Sequence, residues 1–237
     1  MHAPTKGPYR LSFPHSDMAI RLHRGGRLRR WLGTQLGGDW ELGERVWRRI
    51  LHLFGGLALL YYLVPSNFFV VVPKWVVLLL LLAVIVIVEA LRHSIGLELP
   101  TIRPFETHRI GSYAFYSAAL AIALLFFPEP IAVAVILGAA IVDPLIGELR
   151  LHPTARRYYP IVPGLVYVAL AFPAFWLVGG WTGPSSLLFA FGAAALAITV
   201  EWPKRSWWDD DLTMILAPGL ILGLLVLLLP AAPHLGG

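Results

Sequence analysis

Long apolar runs separated by short polar passages organise this chain. Seven stretches read as helices, because none shows the two-residue alternation of a barrel strand: about 46–64, 68–90, 113–127, a fourth opening at Ile131, then 160–178, 186–200 and 212–229. Several approach or exceed the roughly 17 to 25 residues that carry a helix across a bilayer, while the third is short enough to need tilt. The fourth leaves its apolar register at Asp143, and Pro144 follows at once, which predicts a helix break beside that aspartate. Pro163, Gly164 and Pro173 interrupt the fifth, and Pro218 and Gly219 the seventh. Between the second and third lies LRHSIGLELPTIRPFETHRIGS, whose prolines and clustered charges argue against a further span.

Composition fixes the class. Of 237 residues, 57% are hydrophobic and only 14% charged, against about 25% charge in soluble domains. The fold class expected is an all-α integral membrane protein of about seven transmembrane helices. The absence of cysteine excludes disulfides, thiolate metal sites and thiol nucleophiles. Residues 1–45 are basic and include RLHRGGRLRRWLGTQL, where Leu28, Trp31, Leu32 and Leu36 can share one face. That predicts an interfacial or flexible arm on an anionic leaflet, weakened as a helix by its glycines. The domain organisation is thus an arm over 1–45, a membrane domain over 46–230 and a tail over 231–237.

The net charge of +5 is first a matter of topology, since cytoplasmic loops favour Lys and Arg. Seven spans with a cytoplasmic N-terminus put every one of the 19 basic residues except Lys74 on the cytoplasmic side, and the C-terminus outside. Of the 14 acids, only Glu129 falls on the outer side. An acidic excess is not part of the topology rule, so it marks a polar working face on the cytoplasmic side. No apolar run precedes about Ile50, so the first membrane helix serves as the targeting signal. No recognition fold accompanies the basic residues, so nucleic acid is not an expected partner.

Four groups of side chains supply that face: Arg48, Arg49 and His52; Glu89 with Arg92; Asp143, Glu148, Arg156 and Arg157; and Glu201 with Asp209, Asp210 and Asp211. A carboxylate at membrane depth costs roughly 2 to 4 kcal/mol on insertion scales, so it faces other helices, water or a cation. Acids alternating with arginines suit a metal-bound phosphate, because carboxylates hold Mg²⁺ and guanidinium groups grip phosphate oxygens. An ion-pair belt at the headgroups uses the same residue types. Three adjacent aspartates favour a cation, since they repel one another without one. No HExxH, phosphate-binding glycine loop or GxSxG elbow is present. A transporter remains open because spans are broken by Pro and Gly, although the ionisable groups gather at one face rather than at mid-membrane.

Arg48, Arg49 and His52 in the first span, Glu89 closing the second, ETHRIGSYAFYSAALAIALLFFPEPIAVAVILGAAIVD leading to Asp143, and VEW followed by DDDLT together resemble the polyprenol kinase family. That family includes dolichol kinase, phytol kinase and the CTP-dependent diacylglycerol kinase. The likeness runs diffusely from about Arg48 to Gly223. It implies a nucleoside triphosphate, commonly CTP, used with a divalent metal to phosphorylate a membrane lipid alcohol at the cytoplasmic face. On that reading Asp143 with Asp209 or Asp210 holds Mg²⁺, and Arg48, Arg49, His52, Arg156 and Arg157 bind the nucleotide. Asp143 or Glu201 orients the lipid hydroxyl. Arg48, His52, Glu89, Asp143, Glu201 and Asp210 are then expected in one cytoplasm-facing cavity. Two passages depart from the family: Asp211 stands where an Asn is usual, and DPLIGELRLHPTARRYYPIVPGLVY lacks the Lys-rich passage ending in Glu-Gly-Ser. A cytidylyltransferase, or a non-catalytic scaffold or accessory subunit, fits the same residues.

Overall fold

The computed structural model describes residues 40–68, 72–95, 109–201 and 209–229, apart from the side chains of 40–45, 47, 48, 67 and 68. The chain divides into two compact units, Met1–Arg45 and Val46–Gly237. The expected interfacial arm, the 96–108 connection, the 202–208 loop and the C-terminal tail lie outside the described residues. What is described is helical, except for a two-residue antiparallel ladder between β1 (Asn67–Phe68) and β2 (Val72–Pro73).

Among the described residues, seven α-helical segments follow one another. Helix α1 (Trp40–Gly55) continues through a 3₁₀ turn, Gly56–Leu59, into Leu60–Leu63. Then come α2 (Lys74–Ile95), α3 (Ser112–Phe126), α4 (Glu129–Leu151), α5 (Ile161–Pro173), α6 (Gly183–Glu201) and α7 (Asp210–Leu228). Five are long and apolar enough to cross a membrane: α2, α4, α5 with its wide last turn through Val178, α6 and α7. The other two, Arg49–Leu63 and Ser112–Phe126, are shorter apolar helices.

Helix α4 is the centre. Its apolar window is 56% buried, against 6% for α2, which packs chiefly along α3. Around α4 stand α3, α5, α6 and α7, with α7 also against α3 and α6. Many of the contacts are made by small side chains: Ala119, Ala123, Ala132, Ala134, Ala139, Ala171, Ala190, Ala193 and Ala197 are all essentially inaccessible, beside larger buried groups such as Ile131, Ile136, Ile146, Met214 and Ile215. Lipid is as apolar as leucine, so helices gain little by hiding leucines from it. Alanines let the backbones approach and gain dispersion contact instead. On the weakly buried α2 the large aliphatics Leu80, Leu81, Val84 and Ile87 are exposed.

The close approach also makes seats for aromatic rings. A Cβ on Gly138 of α4 would stand 2.2 Å from the ring of Tyr167, and one on Gly55 of α1 would stand 2.1 Å from the Tyr116 hydroxyl. Each glycine therefore admits a ring from the neighbouring helix.

The expected break at Pro144 does not occur: α4 runs unbroken from Glu129 to Leu151 with Pro144 inside it. Proline removes only the one N–H that would bond four residues back, and packing on several sides holds the helix through the gap. Pro218 is likewise accommodated within α7. Pro173 has a larger effect, since α5 widens after it into a π turn, Ala174–Val178. The apolar stretch expected to open the second span at 68 is partly extended; the helix starts only at Lys74, after Pro73.

Candidate functional site

Among the described residues Lys74 and Glu129 lie at one end of the helices, and most of the charged side chains at the other. They occupy the last turns of α2, α4 and α6, and the first turns or preceding residues of α3, α5 and α7. They fall into three groups.

The first group joins three helices. His52 on α1 directs Nε2 to Asp211 Oδ1 on α7 at 3.1 Å and to Asp143 Oδ2 on α4 at 3.2 Å. One ligand atom from each of the three falls within 4.8 Å of the others. His52 and Asp211 are buried, and Asp143 keeps 22% of its side chain exposed. Two features hold the imidazole. The Tyr116 ring lies against it with centroids 4.9 Å apart, and the Tyr116 hydroxyl donates to the His52 carbonyl at 3.2 Å.

Asp211 is set by its neighbours in the acidic triplet. Asp209 is the N-cap of α7, and its Oδ1 accepts from the Asp211 N–H at 3.0 Å and the Leu212 N–H at 3.3 Å. An aspartate ahead of an apolar run does this readily, because it meets backbone donors that the helix leaves unpaired. Burial, and then the charge of Asp211, push the Asp209 carboxyl up to about 7. So of the three adjacent acids, Asp209 closes the helix end and Asp211 meets His52. Asp210 lies within electrostatic reach of Glu201.

A second group is built around Glu89 on α2. Its carboxylate accepts from Arg92 Nε at 2.9 Å and Nη2 at 2.6 Å, from the Gly111 N–H at 2.9 Å and from the Tyr113 hydroxyl at 2.5 Å. Arg92 also donates to the Arg109 carbonyl. Both charged groups are buried. The knot fastens the end of α2 to the start of α3.

In the third group, Glu201 at the end of α6 is 2% exposed. Arg150 of α4 grips it with both terminal nitrogens at 2.5 and 2.6 Å, and the Tyr159 hydroxyl donates at 3.1 Å. Burial first, then the Glu201 charge, push the Tyr159 phenol up to about 12. Arg49 pairs with Glu148, one turn beyond Asp143.

The sequence candidates therefore separate. His52 and Asp143 come together, with Asp211 as their third member. Glu89 sits in its own ion-pair network with Arg92, while Glu201, gripped by Arg150, lies within electrostatic reach of Asp143 and Asp210. Arg156 and Arg157 are exposed in a 3₁₀ turn after α4, where Arg157 lies over the Tyr158 ring at 4.9 Å and donates to its hydroxyl at 2.8 Å. Arg48 belongs to α1, and its side chain lies outside the description.

Sequence reasoning placed Asp211 on the polar face but gave the metal role to its neighbours Asp209 or Asp210, whereas Asp211 is the member that meets His52. It occupies the position where the resemblance expects asparagine, and the signal was available in the N-cap preference. With Asp209 as cap, the next two acids become the first two helical residues, about 100° apart around the axis. Comparison with protein-family models, with curated proteins and with solved structures gives no match.

Proposed function

We propose that the chain is a membrane lipid-alcohol kinase, with seven spans, the N-terminus cytoplasmic and the C-terminus outside. It transfers the γ-phosphoryl group of a nucleoside triphosphate, CTP on the resemblance, to the hydroxyl of a polyprenol or similar lipid. The single observation that carries the reading is the meeting of His52, Asp143 and Asp211 from three helices at the polar end of a lipid-exposed bundle. The donor set fits a divalent cation, because the His52 imidazole nitrogen stands 3.1 and 3.2 Å from two carboxylate oxygens, the spacing of adjacent ligands. His52, Asp143 and Asp211 would hold such a cation, Mg²⁺ on the resemblance, which would supply charge neutralisation at the phosphate oxygens.

The residues divide the remaining work. Asp143, the least buried of the trio, orients the lipid hydroxyl and takes its proton. The hydroxyl oxygen forms the new bond to the γ-phosphorus as the bond to the bridging β,γ oxygen breaks, and the nucleoside diphosphate leaves. Arg156 and Arg157, exposed beside the site's helix, bind the incoming triphosphate with Arg48 and Arg49. Glu201 acts through Arg150 as a positioning residue, holding the ends of α4 and α6 together, and Asp209 fixes the backbone of Asp211. Catalysis on this scheme is placement and charge neutralisation.

Purified protein with labelled CTP and ATP, offered polyprenols, phytol and diacylglycerol, tests the proposal. Label is expected in a lipid phosphate with at least one alcohol. No transfer to any lipid by folded, cation-binding protein would leave a second reading, a non-catalytic membrane scaffold. That reading is favoured by the engagement of Glu89 and Glu201 in structural ion pairs.

A further inference from the structure

The trio contains an imidazole, and that bears on which cation it takes. Magnesium is a hard ion that prefers oxygen donors and gives up water reluctantly; imidazole suits the first-row transition ions, among which Mn²⁺ also accepts carboxylates. Two ligands about 2.1 Å from a cation and at right angles stand about 3.0 Å apart. His52 Nε2 stands 3.1 Å from Asp211 Oδ1 and 3.2 Å from Asp143 Oδ2. The residues are also held for the purpose. His52 is fixed by Tyr116, and Asp211 by the Asp209 cap. His52 and Asp211 are each more than nine-tenths buried.

We infer that this site selects a first-row transition dication of the Mn²⁺ kind over Mg²⁺, with His52 as the residue that sets the preference. The inference rests on the cation site of the proposed kinase but not on its chemistry. In the metal-bound form His52 presents the Nε2 lone pair and carries its proton on Nδ1.

The test uses the full chain in nanodiscs, without nucleotide or lipid alcohol, and follows the six-line spectrum of free Mn²⁺ as protein is added. Saturation near one Mn²⁺ per chain is expected, with displacement requiring at least about tenfold more Mg²⁺ than Mn²⁺. In His52→Gln, which keeps an oxygen donor, that ratio should fall to about threefold or less. Should the variant not fold, the wild-type protein decides alone, because Mn²⁺ bound through imidazole shows a ¹⁴N hyperfine coupling that changes on ¹⁵N-histidine labelling. No saturable Mn²⁺ binding by the folded chain, an unchanged Mn²⁺/Mg²⁺ ratio in a folded His52→Gln, or bound Mn²⁺ without histidine nitrogen coupling would each overturn the inference. Phosphoryl transfer is a separate readout. A chain that binds Mn²⁺ through His52 yet phosphorylates no lipid keeps this inference and loses the kinase. An active enzyme whose cation shows no nitrogen coupling does the reverse.

Discussion

Replacing Glu89 with glutamine changes almost no volume and yet strikes at the join between α2 and α3. The native carboxylate serves four donors: two from Arg92, the Gly111 amide and the Tyr113 hydroxyl. Glutamine offers one acceptor oxygen and turns an NH₂ group towards donors, so at least two of those bonds fail. Arg92, 4% exposed, is left without its carboxylate. Breaking a buried ion pair from one side costs about 3 to 5 kcal/mol, mostly because the surviving charge stays desolvated. Reversible unfolding in dodecyl sulfate and mixed micelles, followed by helical circular dichroism, should show a loss of that size. Removing both charges in Glu89→Met with Arg92→Met should cost less than the glutamate change alone, since no orphan charge remains. A Glu89→Gln protein as stable as wild type would refute the structural account. Loss of phosphoryl transfer at unchanged stability would move Glu89 into the chemistry.

Asp143→Asn should fold normally but lower phosphoryl transfer by about 10²-fold or more, as loss of a charge that acts on the transition state does; an equal melting temperature with near wild-type turnover would exclude Asp143 from the site. Gly138→Ala drives a methyl group into the Tyr167 ring and should destabilise by about 1 to 3 kcal/mol. Gly223→Ala meets nothing within 4 Å and should be neutral or stabilising by up to about 1 kcal/mol; unfolding midpoints of the pair check both. Tyr159, raised to about 12 in the fold against about 10 unfolded, keeps its proton longer when folded. Its contribution is therefore fully present below about pH 10 and lost as pH rises through about 12, and Tyr159→Phe should flatten that part of the stability profile.

What the sequence discloses and what it withholds follow from the range of the interactions. Helix positions are written locally: the stretches 113–127 and 160–178 fall within a residue or two of Ser112–Phe126 and Ile161–Val178, because a membrane helix is an uninterrupted local apolar signal. The one-turn pair of Glu89 and Arg92 is equally local, and spacing alone identifies it. Its remaining partners, Gly111 and Tyr113, arrive from the next helix. The grip of Arg150 on Glu201 spans 51 residues, and no periodicity can report which of several arginines reaches which acid. Proline 144 shows a different limit. Its local penalty is real, but the neighbours that hold α4 straight are chosen by alanine packing distributed over the whole bundle.

The acidic triplet combines both cases. A run of three aspartates has no internal pattern, so charge alone cannot rank its members. Helix geometry can, once the cap is fixed: Asp209 turns to the backbone and Asp211 to His52. The meeting of Asp211 with residues 159 and 68 positions earlier still depends on α1, α4 and α7 being neighbours at this end of the bundle. That adjacency is a property of helix packing rather than of any one segment. Changing a packing residue that is no ligand, such as Gly55, one turn from His52 and beneath the Tyr116 hydroxyl, should therefore disturb the His52 site without altering a single proposed ligand.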